Sequence, residues 1–402
     1  MDMGYDVPRI ISPIEELKSL VIKEVDTHRE KLSELSRKIH ANPELGFQET
    51  KAVGWLTQCL EGNGFVIERG ICGLPTAFRA RYGEGKPSLA LLAEYDALPD
   101  LGHACGHNLI AGCAVGAALA AKLAIDCSGG SLWVIGTPAE ELYGGKVIMA
   151  NRGAFRDLDA ALIAHPDTHD VATIRALACQ ALKVEFFGKA AHAAVLPEVG
   201  INALEAMLES FNAINSLRQH IKPTARIHGI ITDGGQAANI IPTHSAGHFL
   251  VRAAEDSYLD ELKERVLNCF IGAATATGAR LQYAWDEVRY ATMRNSFSLA
   301  RLYTRNMQSL GHKVVLSEPN YSFGSTDMGN VSHLVPSIHP FIGIAERGLS
   351  VHTSEFVTVA ASENGIKGML DAAKALAMVV VDLVTNPGMV SRIREEFRQG
   401  KR

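Results

Sequence analysis

Residues 88–95 read Ser-Leu-Ala-Leu-Leu-Ala-Glu-Tyr, an almost unbroken apolar run that closes on a carboxylate. A short run without alternation predicts a strand covered on both faces, as in a parallel sheet. Strand-like stretches at 65–69 and 76–82 precede it. A helix is expected at 107–124, followed by strand 131–137, helix 145–155 and strand 159–165. Strands alternating with helices argue for an α/β sheet that is at least partly parallel. Upstream, Ile14, Leu17, Val21, Leu32, Leu35 and Ile39 recur at helical spacing over 14–40, and Asn42-Pro43 stops that helix. A second helix is expected at 49–61.

The pattern changes near residue 178. Strand 179–187, helix 201–220, strands 226–232 and 245–252, helix 256–277 and strand 279–287 follow the β-α-β-β-α-β order of a ferredoxin-like unit. A helix at 295–310, a strand at 337–344 and a long apolar helix at 362–385 then resume the earlier style. The expectation is an α/β mixed-sheet domain with helices on both faces, residues 1–178 and 291–402. An α+β ferredoxin-like domain, residues 179–290, interrupts it. The charged tail Arg392–Arg402 reads as a solvated helix end.

Composition narrows the function classes. The 402 residues are 47% hydrophobic and 21% charged, enough to bury a large core, which excludes general disorder. A formal net charge of −5 supplies no electrostatic footprint for nucleic acid, so no nucleic-acid partner is expected. The seven cysteines (59, 72, 105, 113, 127, 179 and 269) form no CxxC, and Met1–Ile10 lacks a basic stretch followed by an apolar run. Both observations point to a reducing cytoplasm without a disulfide framework. The Ala/Gly-rich run Leu109–Ile125, broken by Lys122, reads as a buried helix, so no membrane partner is expected either.

The chemistry gathers at strand ends. Glu94-Tyr95-Asp96-Ala97-Leu98-Pro99 and His103-Ala104-Cys105-Gly106-His107-Asn108 follow the buried strand directly. Ligands of open α/β sheets bind beyond the carboxyl ends of strands, and thiolate with neutral imidazole suits a borderline-soft divalent ion. Thr137-Pro138-Ala139-Glu140-Glu141 ends strand 131–137, where one carboxylate can ligate a metal and its neighbour can act as a base. His165-Pro166 ends strand 159–165, and His352 lies in the late loop Ser350-Val351-His352-Thr353-Ser354-Glu355. Singly, each reads as something plain: a small buried thiol, a solvated helix start, a loop histidine. Their joint concentration at the ends of one sheet does not.

Together the HACGH, PAEE, GKAAHAA, Asn-Ile-Ile-Pro and VHTSEF stretches resemble the aminoacylase, carboxypeptidase G and hippurate hydrolase family of two-metal peptidases. They are most similar to its cysteine-containing amidohydrolase branch, with aminobenzoyl-glutamate hydrolases and β-alanyl-lysine-type dipeptidases. The motifs appear in family order from about residue 90 to 356.

The resemblance implies hydrolysis of an amide in a small carboxylate-bearing substrate. It implies a lid and dimerisation role for the inserted domain, and a homodimer. It further implies two divalent metal ions in each protomer, zinc or manganese, with cobalt and nickel also compatible. Cys105 would bridge them, His107 and His165 would hold one, and Glu141 and His352 the other. Glu140 would be the general base and acid, with Asp96 orienting a ligand imidazole. His192 would donate to the tetrahedral oxyanion, while Asn239 and Arg252 would hold the substrate carboxylate. The stretch Phe323–Gly329 resembles a loop near the substrate. This sequence departs from relatives at Glu94, where many carry a ligand histidine, and at Asn108, where many branch members carry aspartate. Two other readings of the same residues stand beside this one. One is a cysteine hydrolase using Cys105 with His103 or His107, and the other is a non-catalytic metal-dependent binding protein.

Overall fold

The computed structural model describes residues 13–318 and 324–400. The expectation about the first ten residues, and that for Phe323, lie outside the described residues. The chain divides into two compact units. The first comprises the described residues of Met1–Ile174, Arg294–Tyr321 and Val331–Arg402, and the second those of Arg175–Met293 and Ser322–Asn330.

The first unit opens with α1 (Pro13–Thr27), α2 (Arg29–His40) and α3 (Thr50–Glu61), then β1 (Val66–Arg69), β2 (Phe78–Glu84) and β3 (Ser88–Ala93). It continues through α4 (His107–Ser128), β4 (Gly130–Gly136), α5 (Glu140–Tyr143), α6 (Gly145–Asn151), β5 (Ala160–Leu162), β6 (His165–Asp167) and β7 (Val171–Thr173). The second unit holds β8 (Ala178–Phe187), α7 (Ala203–Arg218), β9 (Arg226–Asp233), β10 (His244–Ala253), α8 (Asp256–Thr277) and β11 (Arg280–Tyr290). The chain then runs through α9 (Phe297–Ser309), β12 (Val315–Ser317), α10 (Met328–Ser332), β13 (Ser337–Ile338), β14 (Phe341–Gly343), α11 (Ser354–Ala360), α12 (Glu363–Val384) and α13 (Pro387–Gln399).

The main sheet has the order β1-β2-β4-β3-β5-β13. β3 runs parallel to β4 and β5, and β5 parallel to β13, while β2 is antiparallel to β1 and β4. All six residues of β3 are buried, as its continuous apolar run requires. Behind the sheet, α4 packs between β3 and the helices α1, α2 and α12. The long apolar helix is thus a core element. Gly112 lets α12 come close, since a Cβ there would sit 2.3 Å from the Met369 sulfur.

Several local expectations are revised. The helix over 14–40 breaks at His28, a one-residue interruption that apolar spacing does not register. The single strands expected at 159–165 and 337–344 each split in two. β5 pairs with β13 in the main sheet, and β6 pairs with β14 in a small sheet of order β12-β7-β14-β6. Both stretches therefore change sheets at the same level. His165 consequently begins a new strand instead of ending an old one. The tail helix starts earlier than expected and buries Val390 and Ile393.

The second unit is one antiparallel sheet of order β11-β8-β10-β9. In chain order within the unit that is 4-1-3-2, the arrangement the β-α-β-β-α-β pattern predicts. Leu182, Val184 and Phe186 alternate inward along β8 and pack into a core with Phe249, Leu262, Val266 and Phe270.

Candidate metal centre

Parallel pairing sets β3 beside β4 with Ala93 opposite Gly136, so the segments that follow leave the sheet side by side. The Thr137 amide donates to the Ala93 carbonyl at 2.8 Å and holds the exits together. After β3 the chain reaches Asp96, whose buried carboxylate joins two segments. Its Oδ1 lies 3.0 Å from His107 Nδ1, and its Oδ2 accepts the Glu141 amide at 3.0 Å. An Nδ1–H given to Asp96 leaves the Nε2 lone pair of His107 available. Burial opposes charge on Asp96, but His107 and the Glu141 amide together lower the carboxyl pKa.

Gly106, between Cys105 and His107, has φ +76°, and a Cβ there would lie 2.5 Å from the Pro166 ring. Only glycine fits this turn, which places thiol and imidazole on one side at the start of α4. His165 gives Nδ1 to its neighbour's carbonyl, at 2.7 Å from Pro166 O, and turns Nε2 to Cys105 Sγ at 3.4 Å. The His352 amide donates to Ala104 O at 2.9 Å, fastening the late loop to the HACGH turn, and His352 Nε2 lies 3.4 Å from a Glu141 oxygen. His352 adopts a left-handed backbone, φ 63°, and its side chain is half exposed, whereas Cys105, His107 and His165 are buried.

The donor atoms fall into overlapping groups, each within 4.8 Å: Cys105 with His107 and His165, Cys105 with Glu141 and His352, and His107 with Glu140 and Glu141. Thiol, imidazole and carboxylate donors gathered in overlapping groups suit divalent metal. Burial, then the Glu141 carboxylate, pushes the Cys105 thiol pKa well up, and burial lowers that of His165.

Three features escaped the sequence reading. Lys146 of α6, fully buried, places its ammonium 2.6 Å from Glu94, whose other oxygen lies 3.4 Å from His107 Nε2. Burial works against the Glu94 charge, but Lys146 and then His107 hold its pKa down. His339, buried between β13 and β14, stacks obliquely on His165 with ring centres 5.4 Å apart. Glu49, buried before α3, accepts the Ala139 amide at 2.8 Å. Only Glu94 carried a signal, as a departure from relatives. Asn108 is structural here, donating to Ser36 Oγ and Ala360 O at 3.0 Å.

In the second unit, His192 and Asn239 are exposed on adjoining segments, linked by a bridge between His192 and Ile240 and by Ala193 N to Asn239 O at 3.1 Å. Arg252 of β10 donates to Ser325 Oγ at 2.9 Å, and its Nε is buried without a partner.

The model of peptidase family M20/M25/M40 matches residues 90–375. The chain belongs to this family. It is therefore a hydrolase of the metallopeptidase and amidohydrolase kind. Among M20 relatives it is 38% identical to the Xaa-Arg dipeptidase of Mus musculus, over 96% of this chain and 93% of that protein. It is 28% identical to a p-aminobenzoyl-glutamate hydrolase component of Escherichia coli (strain K12), over 96% of each. The M20 fold is matched by the aminobenzoyl-glutamate utilization protein of Klebsiella pneumoniae, with TM-score 0.68 and 19% identity over 90% of this chain and 97% of that one. A dinuclear metal binding peptidase of the M20 family from Bacillus subtilis superposes with TM-score 0.67 and 20% identity over 89% and 99%.

Proposed function

We propose that this M20 enzyme hydrolyses the amide bond of a dipeptide, N-acyl amino acid or aminobenzoyl-glutamate-like substrate bearing a free carboxylate. Two donor groups that share Cys105, with Glu140 beside them, carry this reading. The activities for which the two relatives are named fit the same bond type.

His107 and His165 would hold one divalent ion, Glu141 and His352 the other, with Cys105 common to both. Bound there, such ions acidify water and polarise a carbonyl. Glu140 takes the proton of the attacking water and returns it to the departing amine. Its carboxylate lies within 4.8 Å of the donor atoms of His107 and Glu141, beside the centre where that water would be held. Asp96 holds the His107 tautomer. Arg252 offers a guanidinium for the substrate carboxylate, Asn239 an amide for the same end, and His192 a donor for the tetrahedral oxyanion. The exposed Ile230 on edge strand β9 supports a homodimer through this unit. Seven free cysteines support a reducing cytoplasm.

The test is metal analysis with hydrolysis assays of β-alanyl dipeptides, ordinary dipeptides including Xaa-Arg, N-acyl amino acids and aminobenzoyl-glutamate. We expect activity with zinc or manganese and loss of it on chelation. A metal-free protein with full activity overturns the proposal.

A further inference from the structure

The segment Glu44–Glu49 packs against the stretches that carry Asp96 and Glu140 and plays no part in the chemistry described so far. Its backbone is tied there, because the Ala97 amide donates to Glu44 O at 2.9 Å. A Cβ on Gly46 would come within 2.8 Å of the Ala139 methyl, so the loop sits directly against Ala139. Glu49 ends the segment. It is fully buried, and one carboxylate oxygen accepts the Ala139 amide while the other has no hydrogen-bond partner. A fully buried carboxylate with one oxygen left without a hydrogen-bond partner is poorly suited to packing alone, since burial of a polar group without full compensation is unfavourable.

The bond to Ala139 lands at a strained point. Ala139 has φ 59° and ψ 44°, the left-handed region that alanine avoids because its Cβ crowds the carbonyl. Glu140 is the next residue. Two residues on, the Glu141 amide is held by Asp96. The turn that aims the two adjacent carboxylates is thus pinned on both sides by carboxylates from other segments. Strained backbone of this kind persists where the surroundings over-determine it.

We infer that Glu49 is a positioning residue for Glu140: its carboxylate oxygen holds Ala139 in the left-handed conformation that sets the general base. This inference rests on the role proposed for Glu140. It requires an acceptor oxygen at that place, not a charge.

The experiment compares Glu49→Gln, which keeps the oxygen and loses the charge, with Glu49→Asp, which keeps the charge and withdraws the oxygen by a methylene. Both are assayed as metal-loaded enzyme, with kcat, KM and metal content measured. We expect Glu49→Gln to retain kcat within about threefold, and Glu49→Asp to lose roughly 10- to 100-fold in kcat, at unchanged metal content and KM. Adding Ala139→Gly to Glu49→Asp should recover much of the loss, because glycine enters the left-handed region without steric cost. Equal kcat for the Asp variant and the parent overturns the inference, as does a Gln variant as impaired as Asp. Loss of metal in step with activity also overturns it, by moving the effect to Glu141. Glu140→Gln runs alongside. If that variant is active, the role of Glu140 itself fails; if it is inactive while Glu49→Asp is not, only the present inference fails.

Discussion

The ammonium of Lys146 lies 2.6 Å from a carboxylate oxygen of Glu94, and neither side chain reaches solvent. The pair stands at the exit of β3, one contact away from His107. Removing one member of a buried pair strands the other charge, while neutralising both does not. Lys146→Met should therefore cost about 3–5 kcal/mol of stability in urea unfolding. The double variant Glu94→Gln/Lys146→Met should recover most of it. Equal losses in the single and double variants would show that the ion pair is not the cause.

Asp96 contacts His107 Nδ1 and accepts the Glu141 amide at once, each at 3.0 Å. Partners of ligand imidazoles typically contribute about 10–100-fold to metal affinity. Asp96→Asn should weaken metal binding by about that factor in competition with a fluorescent chelator. An unchanged affinity would remove Asp96 from this role.

Glu140→Gln should keep its full metal content and lose about 10²–10⁴-fold in kcat. Metal content by elemental analysis and a steady-state assay decide this together. Retained turnover would mean that the proton shuttle lies elsewhere.

Arg252 is expected to recognise a carboxylate by its fork. Arg252→Lys should raise KM for a free-acid dipeptide at least about tenfold, and change little for the C-terminal amide of the same peptide. A parallel rise for both substrates would contradict carboxylate recognition.

Away from the site, His312 bridges Asp170 and Asp371 at 3.0 and 3.1 Å, with Lys367 and Lys374 also on Asp371. These hydrogen bonds raise its pKa to about 9 against an opposing burial effect. A pKa raised on folding stabilises the folded state fully below the ordinary histidine value, and that stabilisation fades as pH rises through the folded value. Tm should thus fall between about pH 6.5 and 9, and His312→Gln should flatten that part of the curve. An identical Tm profile for the variant would refute the linkage.

Much of this was legible in residue order. The continuous apolar run of β3 and the strand–helix alternation determined a partly parallel α/β sheet, because burial on both faces leaves no room for polar alternation. The spacing around Cys105 and His107, the adjacent Glu140 and Glu141, and the isolated His165 and His352 marked out the donor atoms that the fold then brought within 4.8 Å of one another in groups. Only the tertiary structure decided that Lys146 meets Glu94, that β5–β6 and β13–β14 step between sheets together, and that Glu49 reaches Ala139. It also decided that the described part of Ser322–Asn330 belongs with the second unit. Period and spacing are local properties of the backbone and can be read along the chain. Which distant polar groups share a buried space depends on strand order and on how the loops beyond it close, and no local pattern records that.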